Sequence, residues 1–143
     1  MVGDLSLEED AVSHGAWDVV RLSLHVIAAT IWVGGQLVLA GLVPVLRRVS
    51  AEAPRVAARR FGWIAWPAYG VLLATGVWNI AADSTRLAGL RGVLDAKIGV
   101  VLLSGVAAFL HARSKTAAGL AVWGALSGLT ALSAVVLGVV LAG

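Results

Sequence analysis

The sequence predicts an all-α integral membrane protein, an antiparallel bundle of four transmembrane helices with both termini outside. Hydrophobic residues make up 59% of the 143 residues and charged residues only 13%, against about 45–50% and about 25% in soluble domains. A soluble domain of this length has too little interior to hide so much apolar surface. We therefore expect the lipid bilayer as the main partner, and neither a soluble enzyme nor a nucleic-acid-binding module.

Four stretches without Asp, Glu, Lys or Arg indicate the transmembrane helices. They cover residues 22–46, 61–82, 98–112 and 116–143. A transmembrane helix needs about 20 residues, so the third stretch suffices only if its helix begins near Val93 and takes Asp95 and Lys97 to the membrane edge. The expected spans are about 19–46, 61–82, 93–112 and 117–142, after an acidic extracytoplasmic tail over residues 1–18.

The charged residues predict the orientation of these spans. Seven of the 11 basic residues lie in the first and third connections, whereas seven of the eight acidic residues lie in the tail and the second connection. Cytoplasmic connections carry the excess of Lys and Arg. This predicts a multi-pass plasma-membrane protein whose arginine-rich connection, residues 47–60, is cytoplasmic. The basic balance thus indicates topology and contact with anionic lipid.

Polar side chains inside a span are costly and are usually paired or functional. In the first span, Trp32 and Gln36 follow His25 by seven and 11 residues. At 100° per residue, these positions share one helix face, and we expect that face to point into the bundle. His25 is then a candidate metal ligand, haem ligand or proton carrier. The alternative is a histidine that only hydrogen-bonds a neighbouring helix.

The third span carries a second stripe, with Lys97, Ser104 and His111 at intervals of seven residues. Lys97 lies at the outer end and His111 at the inner end. The structural alternatives are a lysine that reaches to the outer surface and a histidine that complements the C-terminal helix dipole.

The expected depths of these residues predict two interior groups. His25, Asn79 and Lys97 converge in an outer pocket, where Asp95 balances Lys97 or orients the histidine. A thinner inner group consists of Gln36, Tyr69 and His111. His25 and His111 differ in depth by about 15–20 Å, so we do not expect them to be opposing ligands of one haem. His14, in the acidic tail, is a weaker candidate for an external cation.

Gly124 and Gly128 form a small-xxx-small motif in the last span. Such motifs allow helices to approach closely. The contact is either internal to the bundle or made with a second copy or a partner subunit. The sequence has no nucleotide-binding or metalloprotease motif, and we assign no catalytic residue.

Three segments resemble the copper-resistance protein D (CopD) family in the same order: LHVIAATIWVGGQLVLAGLVPVLR, ARRFGWIAWPAYGVLLATGVWN and LDAKIGVVLLSGVAAFLHAR. The likeness covers roughly residues 20–115. It implies a plasma-membrane role in copper uptake, resistance or homeostasis, with His25 as the first ligand candidate and His111 as a second. The chain has no cysteine and no internal methionine, which are the soft ligands that Cu(I) prefers.

The chain also resembles the HemJ-type membrane protoporphyrinogen oxidases, at His25, Pro44, Arg47, Lys97 and His111. This likeness implies a membrane redox protein that binds haem b or a porphyrin, with His25 as axial ligand and Lys97 paired with a propionate. An enzyme of this kind acts on a porphyrinogen or a quinone. The cofactor-binding candidates under either resemblance are His25, Trp32, Gln36, Asn79 and Lys97. A third hypothesis is a non-catalytic membrane scaffold subunit.

Overall fold

The computed structural model describes the backbone of residues 2–143 and the side chains from Gly15 onward. Six α-helices follow one another: α1 (Val2–Ala29), α2 (Gly35–Val49), α3 (Ala53–Ala82), α4 (Ser84–Leu87), α5 (Arg91–Arg113) and α6 (Ala117–Ala142). A π-helical turn, Thr30–Gly34, joins α1 to α2, and a 3₁₀ turn, Ala88–Leu90, joins α4 to α5. Residues 2–143 contain no β-strand.

The predicted all-α membrane class is confirmed. Four helical stretches are long and apolar enough to cross a membrane: Gly15–Val49, Ala53–Ala82, Ser84–Arg113 and Ala117–Ala142. Large apolar side chains such as Val38, Ile64 and Leu129 are exposed on their outer faces, as expected of surfaces that meet lipid. The third span, whose uncharged stretch is too short to cross a membrane, is formed by α5. This helix begins at Arg91 and has 23 residues.

The residues of the expected acidic tail belong to the first helix, since the backbone of α1 begins at Val2. The side chains of its first residues, including His14, lie outside the described residues.

The helices associate as two groups. The first group packs α1 and α2 against α3, the second packs α5 against α6, and the π turn contacts α6. The core has mainly small and aromatic side chains: Ala28, Trp32, Ala65, Tyr69, Leu72 and Ala131. Small residues let helices approach within van der Waals contact, which is the main attraction available between helices in lipid.

Two glycines permit the closest approaches. A Cβ atom at position 35 would overlap the Phe61 ring, and one at position 105 would overlap the Tyr69 ring and hydroxyl. Tyr69 cannot move aside freely, since it is buried and its hydroxyl donates a hydrogen bond to the Val101 carbonyl (3.0 Å). Position 105 therefore requires glycine for the contact between α3 and α5.

We expect Gly105→Ala to lower the free energy of unfolding by about 1–3 kcal/mol, the usual cost of overpacking a core. Gly99→Ala is the matched control on the same helix, since nothing lies within 4 Å of a Cβ there. The control should be neutral or stabilising, because alanine has the higher helix propensity. Unfolding in detergent, followed by circular dichroism, measures both; equal losses would contradict this account of the contact.

Candidate functional site

His25 contacts the second span. Its imidazole on α1 is partly buried, and Nδ1 lies 2.9 Å from the Thr75 hydroxyl on α3. That hydroxyl donates its single hydrogen to the Val71 carbonyl (2.7 Å), so it accepts from His25. In the neutral ring, Nδ1 is therefore the N–H and Nε2 keeps its lone pair. This is the arrangement in which a histidine binds a metal while its other nitrogen is held by a neighbour.

Lys97 approaches the same region from α5. It is partly buried, and its Nζ lies 3.1 Å from the position of a Cβ on Gly138, so this glycine on α6 leaves room for the ammonium group. Among the described residues Lys97 has no ion-pair partner, which leaves its positive charge unmatched in the region of His25.

Asp95 does not have the expected role. It is exposed, and no ion pair between Asp95 and Lys97 exists among the described residues. The reason is helical geometry, because two residues separated by two positions lie about 200° apart around an α-helix. The prediction that Asp95 balances Lys97 or orients His25 was wrong.

The acid that faces the bundle is Asp83, and it binds Arg21. This arginine is 3% exposed, and its Nη2 lies 3.2 Å from Asp83 Oδ2 and 3.1 Å from Asp18 Oδ1. Among the side chains from Gly15 onward, none bonds the buried Nε and Nη1 of Arg21 or the buried Oδ1 of Asn79. One turn of helix separates Arg21 from His25, and another separates Asn79 from Asp83, so these groups line the same end of the bundle.

Arg21 was not among the predicted site residues. It precedes the uncharged stretch that begins at Leu22 and falls within the expected span 19–46, where no role was given to it. Its spacing contained a signal, because Arg21 follows Asp18 by three residues and precedes His25 by four. Side chains three or four residues apart are neighbours on a helix.

Trp32 and Gln36 belong to a separate network at mid-span. The buried Trp32 donates from Nε1 to the Ser104 hydroxyl (3.1 Å), and that hydroxyl donates to the Ser127 carbonyl (3.1 Å). The single hydrogen of the Ser127 hydroxyl is shared between Gln36 Oε1 (2.9 Å) and the Ser104 carbonyl (3.1 Å). All three residues of the predicted stripe thus meet neighbouring helices: His25 contacts α3, Gln36 contacts α6, and Trp32 contacts both α5 and α3.

The expected inner group is not assembled. Tyr69 bonds the Val101 carbonyl and packs on Trp32, with ring centroids 4.5 Å apart. His111 donates from Nδ1 to the Leu120 carbonyl at 2.8 Å, and a Cβ on Gly124 would lie 3.0 Å from its ring. Gly124 therefore serves an internal contact, whereas nothing lies within 4 Å of a Cβ on Gly128.

Neither histidine of the described residues belongs to a multi-ligand metal cluster. From Gly15 onward, no group of three or more His, Asp or Glu side chains comes together. His25 is bonded to α3 and His111 to the first turn of α6, so they do not share a metal centre here.

Thr75→Val should change the tautomer of His25, because it removes the only hydrogen-bond acceptor of Nδ1 with little change of shape. We expect ¹⁵N NMR of the neutral ring to show loss of the Nδ1–H form in favour of Nε2–H. Thr130→Val is the control, since the Thr130 hydroxyl bonds only carbonyls of its own helix. Unchanged His25 shifts in Thr75→Val would contradict the assigned hydrogen bond.

Arg21, His25, Asn79 and Lys97 form a cluster, called the outer cluster after the outer pocket that the sequence predicts. Among the described residues it offers one imidazole nitrogen with a free lone pair, an unmatched ammonium group and three unpartnered polar atoms of Arg21 and Asn79. Such a set can ligate a metal through a single nitrogen and hold an acidic group beside it. No protein-family model, curated protein or solved structure matches the chain.

Proposed function

We infer that the chain is an antiparallel four-span plasma-membrane protein with both termini outside and residues 47–60 in the cytoplasm. Two contacts between residues at the ends of different spans support the antiparallel arrangement. Arg21, early in the first span, meets Asp83 after the second, and Arg86 donates to the Ala142 carbonyl at the end of the fourth (2.8 Å). The excess of basic residues in the first and third connections supports the orientation.

Single-cysteine variants test this topology on a chain that has no cysteine of its own. We expect Ser50→Cys and Lys115→Cys to be protected from a membrane-impermeant thiol reagent added to intact cells. Thr85→Cys, in the second connection, should be labelled under the same conditions. Labelling at positions 50 and 115 with protection at 85 would reverse the orientation.

We propose that the chain binds haem b, or a related porphyrin, through Nε2 of His25, in the manner implied by its resemblance to the HemJ-type oxidases. The hydrogen bond from His25 to Thr75 carries the proposal, since it leaves Nε2 as a free ligand in the neutral ring. A haem supplies four of its own iron ligands, so one protein nitrogen can hold it. One such nitrogen is what the outer cluster contains.

The charges around His25 support an acidic ligand. The charge of Arg21 is met by Asp18 and Asp83, whereas Lys97 has no such partner among the described residues. Lys97 would pair with a propionate, and Nε and Nη1 of Arg21 remain as hydrogen-bond donors. Bound haem would supply reversible one-electron chemistry at its iron. The chain's own residues would fix the histidine tautomer through Thr75 and neutralise the acidic groups.

Copper handling of the CopD kind is the second candidate, favoured by the likeness over residues 20–115. The same neutral imidazole of His25 would bind the ion. It ranks second because the positive charge of Lys97 beside His25 opposes a free metal cation, and because copper sites use several protein ligands. If neither ligand binds, the scaffold hypothesis takes their place.

The absorption spectrum and metal content of the purified protein decide among these functions. We expect a Soret band in the wild type and in the control His111→Ala, and its loss in His25→Ala. Thr75→Val should retain haem with about 10–100-fold lower affinity, the usual effect of removing the partner of a ligating histidine. Matching helical circular dichroism for each variant excludes misfolding as the cause of a loss.

Two other results would be equally clear. Stoichiometric copper without a Soret band, lost in His25→Ala, would replace the haem proposal by the copper one. Haem that persists in His25→Ala, or the absence of both ligands from wild-type protein, would overturn both proposals.

A further inference from the structure

The first turns of α3 carry a groove at the arginine-rich end of the bundle. It is lined by Val56, Arg59, Arg60 and Trp63 and has a volume of about 460 Å³. These positions are three, four and seven residues apart, so they share one helix face. Phe61, which packs towards Gly35, points about 200° away from Arg59. The groove therefore opens away from the bundle, towards the surrounding membrane.

The lining of the groove is amphipathic. Arg59 and Arg60 are exposed and form no ion pair among the described residues. Trp63 is 77% exposed and Val56 is 60% exposed. Guanidinium groups form bidentate hydrogen bonds with phosphate oxygens, whereas tryptophan is favoured where headgroups meet acyl chains. Along this helix face the two arginines precede Trp63, so the phosphate-binding donors and the apolar surface on their membrane side follow the order of a phospholipid's phosphate and glycerol.

The depth of the groove fits the level of the headgroups. The uncharged part of α3, residues 61–82, is about 33 Å long at 1.5 Å per residue, which matches a hydrocarbon core of about 30 Å. Arg59 and Arg60 immediately precede this part. They therefore lie at the boundary between hydrocarbon and headgroups, with Trp63 one turn deeper.

We propose that this groove is a binding site for one anionic phospholipid, whose phosphate is held by Arg59 and Arg60, whose glycerol and upper acyl carbons cover Trp63, and whose headgroup lies beside Val56. The net charge of the connection supports an anionic lipid, since residues 47–60 hold five arginines and a single acid, Glu52. The site is independent of His25 and of any cofactor bound there.

Native mass spectrometry in detergent tests the site with phosphatidylglycerol and phosphatidylcholine as probes. We expect one tightly bound phosphatidylglycerol on the wild type, and an affinity lower by about tenfold or more in the double variant Arg59→Gln/Arg60→Gln, since each basic residue at an anionic surface contributes roughly a fivefold change. The matched control, Arg47→Gln/Arg48→Gln, removes the same charge from the last turn of α2. It should retain the bound lipid.

Three outcomes would overturn the proposal. Equal losses in the two double variants would indicate diffuse attraction by the whole connection rather than a site. Equal binding of phosphatidylcholine would show that charge is not recognised. Displacement of the lipid by millimolar inorganic phosphate would show a site for free phosphate instead. Circular dichroism and elution volume confirm folding, which we expect to be unchanged because Arg59 and Arg60 are exposed.

Discussion

Two serines in the middle of the bundle, Ser104 on α5 and Ser127 on α6, hydrogen-bond these two helices to each other and to the first span. Ser104 and Ser127 each donate to the other's backbone carbonyl, both at 3.1 Å, and both are almost fully buried. Hydrocarbon offers a hydroxyl no partner, so these hydrogen bonds favour close approach of α5 and α6. Ser104 also accepts from Trp32, and Ser127 shares its one hydroxyl hydrogen between the Ser104 carbonyl and Gln36 Oε1. The position of the first span therefore depends on a pair of residues that lies in the third and fourth.

The π turn lets the first span bond the two serines through Trp32 and Gln36 while His25 bonds Thr75 on α3. A turn of π-helix contains about one residue more than an α-turn, which rotates the following side chains by about 100°. His25, before Thr30–Gly34, reaches Thr75 on α3. Trp32, within the turn, packs on Tyr69 of α3 and also reaches Ser104 on α5, and Gln36, after the turn, reaches Ser127 on α6. One helix thereby serves two separate polar clusters.

Much of the fold was predictable because the bilayer imposes it. The four uncharged stretches marked the spans, and the predicted stripe of Lys97, Ser104 and His111 lies on the face of α5 that meets α6, where Gly138, Ser127 and Gly124 lie. The failures have local causes. A regular 100° step cannot anticipate a π turn, and a search for charge-free windows passes over a buried arginine at the edge of its span. Asp95 was predicted to pair with Lys97 because the two residues are close in sequence, but helix geometry places them on different faces of α5.

The outer cluster is best understood through its charges. Arg21 is buried, yet its two carboxylate partners are about half exposed, with side-chain exposures of 58% for Asp18 and 45% for Asp83. Water at the membrane surface therefore solvates the negative charges while the guanidinium stays inside. Lys97 is partly buried and has no carboxylate partner among the described residues, and burying an unpaired charge is costly. A ligand that brought an acidic group to Lys97 would remove this cost, whereas a bare cation at His25 would add to it. These charges therefore support the proposal of a ligand that carries its own carboxylates.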